Sequence, residues 1–333
     1  MLARLLRVFI VALIALAAGW AWHFSQRGSP GLAVAGALLI LFCHAPVMAV
    51  EFALLSWLNR DDPAPQATPV QLLAAWWGEV RMSALVFGWL QPFRSKVWPD
   101  LVAARGPPPS TQRGVLLVHG YVCNRGLWNP WLERLHAQGV PCIAVDLEPV
   151  FGSIDDYAAI IDAAAARLFA ATGQPIVVVA HSMGGLAVRA WLDAHAPGTL
   201  VHRVVTIGSP HRGTFLARFG LTRNAVQMRL GGDWHGALAT RELAQRELAR
   251  GAALFTCFYG HCDNVVFPAS TATLPGADNR HLAACAHVQM AYHPAVFSEV
   301  WRWLATARPA ACGDDSGDGE SAARRAADAG AAR

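Results

Sequence analysis

The sequence predicts an α/β domain built on a mostly parallel sheet with helices on both faces, preceded by an apolar helical hairpin that enters a membrane. Three observations carry this expectation. From Gly114 onward, strand-like apolar runs alternate with helical patterns, the signature of parallel strands joined by crossover helices. The β-branched run at 176–179 ends on a serine set among small residues, and helical periodicity begins directly after it. The hydrophobic excess of the chain is concentrated at its front.

Of the 333 residues, 54% are hydrophobic and only 15% charged, which is too apolar for one soluble domain of ordinary composition. Residues 5–24 hold one charge, Arg7, and residues 31–50 hold none. Each stretch approaches the roughly 20 apolar residues that cross a bilayer. The polar connection at 25–30, which contains Gly28 and Pro30, predicts a tight turn between two transmembrane helices in an anchor over residues 1–58. Trp20, Trp22 and His23 fit an interfacial belt. A cleaved signal peptide is the competing reading of the first stretch, with Arg4 and Arg7 as its basic end and small residues at 15–21. With Arg4 and Arg7 at the first span, Arg27 between spans and Arg60 after the second, the charge bias places both ends, and the domain, on the cytoplasmic side.

Residues 59–105 read as a Pro-rich linker followed by a Trp-rich piece. Trp76, Trp77, Trp89 and Trp98, with Phe87 and Phe93 among few charges, predict helices that lie on the membrane surface or cover a flank of the domain. Three consecutive prolines at 107–109 end this region. Within the domain, 106–306, the pattern gives a strand at 114–119, a helix at 129–138 and a strand at 140–147 after the Gly139 stop. A helix follows at 153–171, capped by Ser153 with Asp155 and Asp156 in its first turn. The serine-bearing strand leads to a helix ending near 196, then strands at 201–207 and 254–260 and a last helix at 294–304. About 200 residues suffice for one domain with a large core. Between the last two strands, Phe215, Leu216, Phe219, Leu221, Val226 and Met228 alternate with arginines, predicting an amphipathic lid over about 210–250. Residues 307–333 are mostly Ala, Gly, Asp and Arg without apolar periodicity, and a disordered tail is expected there.

The chemistry starts at Ala180-His181-Ser182-Met183-Gly184. A strand, a serine between small residues and a helix make a nucleophile elbow, Gly-x-Ser-x-Gly, with Ala180 in place of the first glycine. A serine hydroxyl is a poor nucleophile until a histidine, itself held by a carboxylate, takes its proton. In elbow folds the chain order is Ser, acid, His. Asp263 lies just past the 254–260 strand, on the rim that carries the serine, and is the expected acid; Asp233 and Asp278 are the alternatives. His287 lies directly ahead of the last helix and is the expected base, with His281 and His293 as the other candidates. The loop after the first strand, His119-Gly120-Tyr121, is placed to give an oxyanion hole through the backbone N–H of Tyr121, paired with that of Met183. His119 and His181 read as structural. Cys123, Cys142, Cys257 and Cys262 have no metal-binding spacing, so neither a metal nor another cofactor is expected. A net charge of +4, without a basic run interleaved with aromatics, argues against nucleic acid. Cys262 and Cys285 flank the acid and the base closely enough for a disulfide, against the alternative of two free thiols.

Taken together, Val118-His119-Gly120-Tyr121, the elbow through Gly185, Thr206-Ile207-Gly208-Ser209-Pro210-His211-Arg212-Gly213-Thr214, Asp263 and His287 resemble the bacterial triacylglycerol lipase and esterase family of α/β-hydrolases, in which Ala-His-Ser-Met-Gly is a variant elbow. The resemblance spans about 115–304. It implies the α/β-hydrolase fold and a serine ester hydrolase that acts on acyl-ester or lipid substrates through an acyl-enzyme, here tethered to a bilayer, expected to be the bacterial inner membrane. Thioesterase and acyltransfer chemistry use the same triad, and a membrane-bound binding protein that keeps the fold without turnover is the non-enzymatic alternative. At 227–233 the sequence departs from the family's Gln-Met-x-Pro-Gly-Ser at Leu230 and Gly232.

Overall fold

The computed structural model describes residues 1–102, 112–195, 198–244 and 252–305; the prolines at 107–109 and the expected tail at 307–333 lie outside them. Four amino-terminal helices, α1 (Leu2–Gln26), α2 (Pro30–Leu41), α3 (His44–Leu58) and α4 (Pro69–Leu85), lead through one π-helical turn into the short α5 (Gln91–Phe93). The domain then runs β1 (Val115–Val118), α6 (Asn129–Ala137), β2 (Cys142–Ala144), α7 (Ala158–Thr172), β3 (Ile176–His181), α8 (Met183–His195) and β4 (Val201–Ile207). It continues with α9 (Arg223–Gln227), α10 (Asp233–Ala244), β5 (Phe255–Gly260), β6 (Asp278–Leu282), α11 (His287–Met290) and α12 (Pro294–Ala305).

All six strands are parallel, in the order β2-β1-β3-β4-β5-β6. The β3 sequence is a continuous apolar run because helices cover the sheet on both faces. Its Val177 and Val179 pack with Trp131 and Leu132 of α6 and Val296 of α12, while Val178 and Ala180 pack with Ile161 of α7 and Leu186 of α8. Trp131 stacks on Phe297 with ring centroids 4.0 Å apart, fastening α6 to α12. The chain leaves β1 for β2 on one side and reaches β3 on the other. That reversal opens a crevice at the carboxyl ends of β1 and β3, where ligands bind in open parallel sheets.

The α/β-hydrolase architecture thus follows the pattern read from the chain, with local differences. The strand expected at 140–147 is only Cys142–Ala144. The 153–171 helix opens as a 3-10 turn, Asp155–Tyr157, before α7. The polar stretch Asp278–Leu282 is a sixth strand; it lies at the sheet's edge, where polar and charged side chains are tolerated.

At the front, α1 is long and apolar enough to cross a membrane by length and composition. It packs against α2, with Trp20 Nε1 donating to Leu32 O at 2.9 Å. The second apolar stretch is not one straight span: it breaks between α2 and α3, with a bend of 58°. Pro46 is the cause, since in a continuous helix its ring would meet the carbonyl of Phe42 four residues back. α3 therefore turns onto the domain instead of extending α2. There Phe52 and Leu55 of α3 and Ala75 of α4 form a separate apolar cluster with Cys262, Phe267 and Ala286. The Thr68 and Gln71 capping box starts α4, with Gln71 N donating to Thr68 Oγ1 at 3.3 Å and Thr68 N to Gln71 Oε1 at 2.9 Å. The Trp-rich piece covers the domain's flank with one face and leaves Trp77, Trp89 and Phe93 exposed on the other.

Candidate active site

Ser182 sits between β3 and α8 with φ of 56°, the left-handed region that costs a non-glycine residue steric energy. The strain is held in place by close packing on both sides. A Cβ on Gly184 would lie 2.6 Å from the carbonyl oxygens of Val118 and His119, and one on Gly120 would lie 2.7 Å from Ser182 Cβ. Only glycine fits at either position. Ala180, on the strand side of the turn, is fully buried, so its methyl group is absorbed by the core.

Asp263 and His287 are brought together at the carboxyl end of β5. His287 Nδ1 lies 2.9 Å from Asp263 Oδ1 and 3.0 Å from Oδ2. With the carboxylate accepting, Nδ1–H donates and the lone pair is left on Nε2. Asp263 Oδ1 also accepts the N–H groups of Val265 at 2.9 Å and Val266 at 2.8 Å, which fix the carboxylate's plane. Burial alone disfavours a charged His287, but the carboxylates of Asp263, Glu79 and Glu51 more than offset it, and the imidazole's pKa lies above its ordinary value. Ser182 and His287 line one cavity of about 170 Å³, together with Tyr121, Glu51, Glu79 and Phe87 among others.

The other expected residues fall into place around these. His119 Nδ1–H donates to Gly120 O at 2.9 Å while Nε2 accepts Leu147 N–H at 3.0 Å, so this buried, neutral ring ties the Gly120-Tyr121 loop to the segment that follows β2. His181 Nε2–H donates to His287 O at 3.1 Å; burial first, and then the neighbouring His287, hold it well below the ordinary histidine range. Tyr121 is followed by Val122 at φ of 51°, a second strained residue in the same crevice. Met183 is the first residue of α8, so its N–H has no acceptor within the helix.

The alternatives lie elsewhere. Asp278 opens β6 at the amino end of the sheet and pairs with Arg280 at 2.7 Å. Asp233 opens α10. His281 of β6 meets His261, just past β5, in a tilted ring contact with centroids 4.7 Å apart. His293 Nδ1 accepts Ala295 N–H at 3.2 Å at the start of α12. Cys262 and Cys285 are both buried thiols, not a disulfide.

Two carboxylates in the cavity, Glu51 and Glu79, are not announced by the sequence. They come from α3 and α4. The 210–250 insert, expected as a lid, packs on the segment before α7 and reaches the cavity's rim, where Thr222 Oγ1 lies 3.0 Å from Tyr121 Oη. Gln227 Oε1 accepts Ile154 N–H at 2.8 Å and Asn224 Nδ2 donates to Val150 O at 2.9 Å. Among the described residues, none of the insert lines the Ser182 cavity. The available signal was faint: Glu51 ends an uncharged run, and Glu79 interrupts the Trp-rich one.

A family model described as the alpha/beta hydrolase family matches residues 115–332. No curated protein matches the chain. Among solved structures, the chain is similar to the Bacillus licheniformis lipase BlEst2 in its mature form, at 18% identity and a TM-score of 0.53, over 60% of this chain and 95% of that one. The propeptide form of the same lipase matches at 18% identity and a TM-score of 0.51, over 62% of this chain and 53% of that one. At such identities the likeness is one of fold.

Proposed function

This chain belongs to the alpha/beta hydrolase family, and on that premise we propose that it is a membrane-anchored serine ester hydrolase of the lipase and carboxylesterase type. The observation that carries the reading is the bond between His287 Nδ1 and Asp263, 2.9 Å to Oδ1, beside a serine on a left-handed elbow that lines the same cavity. His287 Nε2 takes the proton of Ser182 as Oγ attacks the acyl carbonyl. The backbone N–H groups of Tyr121 and Met183 receive the oxyanion of the tetrahedral intermediate. Collapse breaks the ester bond, His287 gives its proton to the departing alcohol, and the acyl group stays on Ser182. Water, activated by the same imidazole, then releases the acid. Asp263 holds the Nδ1 proton throughout and keeps the tautomer that leaves Nε2 free.

Anchorage rests on α1, whose Val8, Phe9, Val11 and Leu16 are among many apolar side chains turned outward. A tethered enzyme meets acyl-ester and lipid substrates within the bilayer surface; the arginine bias favours the cytoplasmic face if both apolar stretches cross, and the opposite face if α1 is the one span.

A fluorophosphonate probe tests the assignment. Labelling of the full-length protein should vanish in Ser182→Ala, and hydrolysis of p-nitrophenyl butyrate should fall on the order of 10⁶-fold with the melting temperature unchanged. Persistent labelling, or full activity in that variant, would remove Ser182 from the mechanism; an unlabelled wild type would favour a binding protein.

A further inference from the structure

We infer that Glu79 is a positioning residue for the base, its buried carboxylate capping the turn that carries His287; the inference rests on the reading of His287 as that base. α11 begins at His287 and is four residues long. The first N–H groups of any helix lack an intrahelical acceptor, and an oxygen on the N-cap side chain ordinarily meets those of the second and third residues. Here the N-cap is Ala286. Its backbone has the extended geometry of a cap, with φ of −87° and ψ of 174°, but its methyl group accepts nothing.

Glu79 supplies the missing acceptors from a different part of the chain. Val288 N lies 2.9 Å from Oε1 and 3.1 Å from Oε2, and Gln289 N lies 3.2 Å from Oε2. These are the second and third N–H groups of α11. The first, on His287 itself, donates to Asn264 Oδ1 at 3.4 Å, and Asn264 Nδ2 donates to Glu51 Oε2 at 2.7 Å. Every N–H at the start of this turn is thus held by an amino-terminal carboxylate, directly or through one amide. Glu79 is only 1% exposed, and a carboxylate is tolerated at such burial when its oxygens are met by donors. The base is therefore placed by two frames at once: the sheet, through Asp263, and the amino-terminal helices, through Glu79 and Glu51.

A carboxylate is needed because both oxygens accept, whereas an amide offers one acceptor and turns an N–H₂ toward a backbone N–H. The titratable groups facing His287 are Asp263 beyond β5, Glu79 on α4, Glu51 on α3 and His181 at the end of β3. Removing Glu79's charge leaves the imidazolium with one stabilising neighbour fewer.

The test uses the full-length protein in detergent with p-nitrophenyl butyrate. Glu79→Gln should lower kcat about tenfold, the scale of a lost charged hydrogen bond, with KM nearly unchanged, and should move the acid limb of kcat/KM to lower pH. Adding Ala286→Ser returns a cap acceptor to the turn. The double variant should recover most of kcat while its acid limb stays displaced, a split that a packing defect does not produce. Wild-type kcat with an unmoved acid limb in Glu79→Gln overturns the inference. So does a double variant no faster than the single one or, where the single variant melts before assay, no better folded. Fluorophosphonate labelling of Ser182 separates the two readings: an unlabelled wild type sinks the enzyme assignment, whereas a labelled wild type with an indifferent Glu79→Gln sinks only the capping role.

Discussion

On the sheet side of the cavity Ser182 is held by backbone, in a left-handed conformation enforced by Gly120 and Gly184 with no room to spare. Across from it His287 is held by side chains, and several of these come from helices outside the sheet: Glu79 directly, and Glu51 through Asn264. The first arrangement is inseparable from the packing of β1, β3 and α8, so a fault there is a fault in the domain. The second can loosen while the sheet stays intact. The proposed nucleophile is positioned by the core; the proposed base is positioned by how the amino-terminal helices dock.

Asp263 stands between these two frames, and its replacement has the largest effect expected short of removing Ser182 itself. In Asp263→Asn the amide oxygen can still accept the N–H groups of Val265 and Val266, so the loop keeps its shape. The amide nitrogen then faces His287 Nδ1 and donates to it, which moves the ring proton to Nε2 and blocks the base. A fall in kcat of about 10⁴-fold with an unchanged melting temperature is expected by analogy with other serine triads. A loss below about tenfold would place the acid elsewhere.

Two buried leucines separate the frames by stability. Leu132 of α6 is fully buried against the sheet, and Leu55 of α3 is 1% exposed in the cluster with Phe267 and Ala286. Leu132→Ala should cost about 2–5 kcal/mol of global stability, seen as a lower melting temperature for the whole domain. Leu55→Ala removes the same methyl groups, but the cost falls on the docking of α3, a local opening. The main melting transition should stay near that of the wild type while hydrolysis slows. Equal losses of melting temperature in both variants would mean that the helices and the sheet unfold as one unit, and the distinction between the frames would fall.

The same difference governs what could be read from the chain. The elbow, the strand before it and the helix after it were legible because a β-branched run stopping at a serine among small residues has few other physical meanings. Chain order nominates Asp263 and His287, and the fold brings the two side chains to 2.9 Å. Contacts across long sequence separations were not: Glu79 meets Val288 through tertiary packing alone, and neither residue's neighbours in sequence announce it. The β6 strand was missed because an edge strand does not need an apolar face. The break before α3 has its cause in Pro46, a single residue within a run whose hydropathy is that of a span.

The smallest expected effect is on pH dependence, where activity and stability should run in opposite directions. On the proposed mechanism His287 is neutral when it takes the Ser182 proton, and its folded pKa lies above the ordinary histidine value because Asp263, Glu79 and Glu51 outweigh the cost of burial. The rise of kcat/KM should therefore centre above pH 6.5, the unperturbed value. A raised pKa also means that the folded chain binds this proton more tightly than the unfolded one. The resulting stability is present in full below the unfolded value and is lost as pH rises through the folded one. Glu79 acts in the same sense: burial pushes its carboxyl up to about 7 against its N–H contacts, so its contribution fades between its ordinary value near 4.5 and neutrality. The melting temperature should fall across the interval in which activity climbs, and Glu79→Gln should flatten the fall, since the charge that makes His287 hold its proton, and the carboxyl that holds its own, are both gone. Parallel rates and melting curves from pH 5 to 9 check this. A melting temperature that rises through the active limb would show that the carboxylates around His287 do not govern its charge, and the helix side of the cavity would lose its claim on the base.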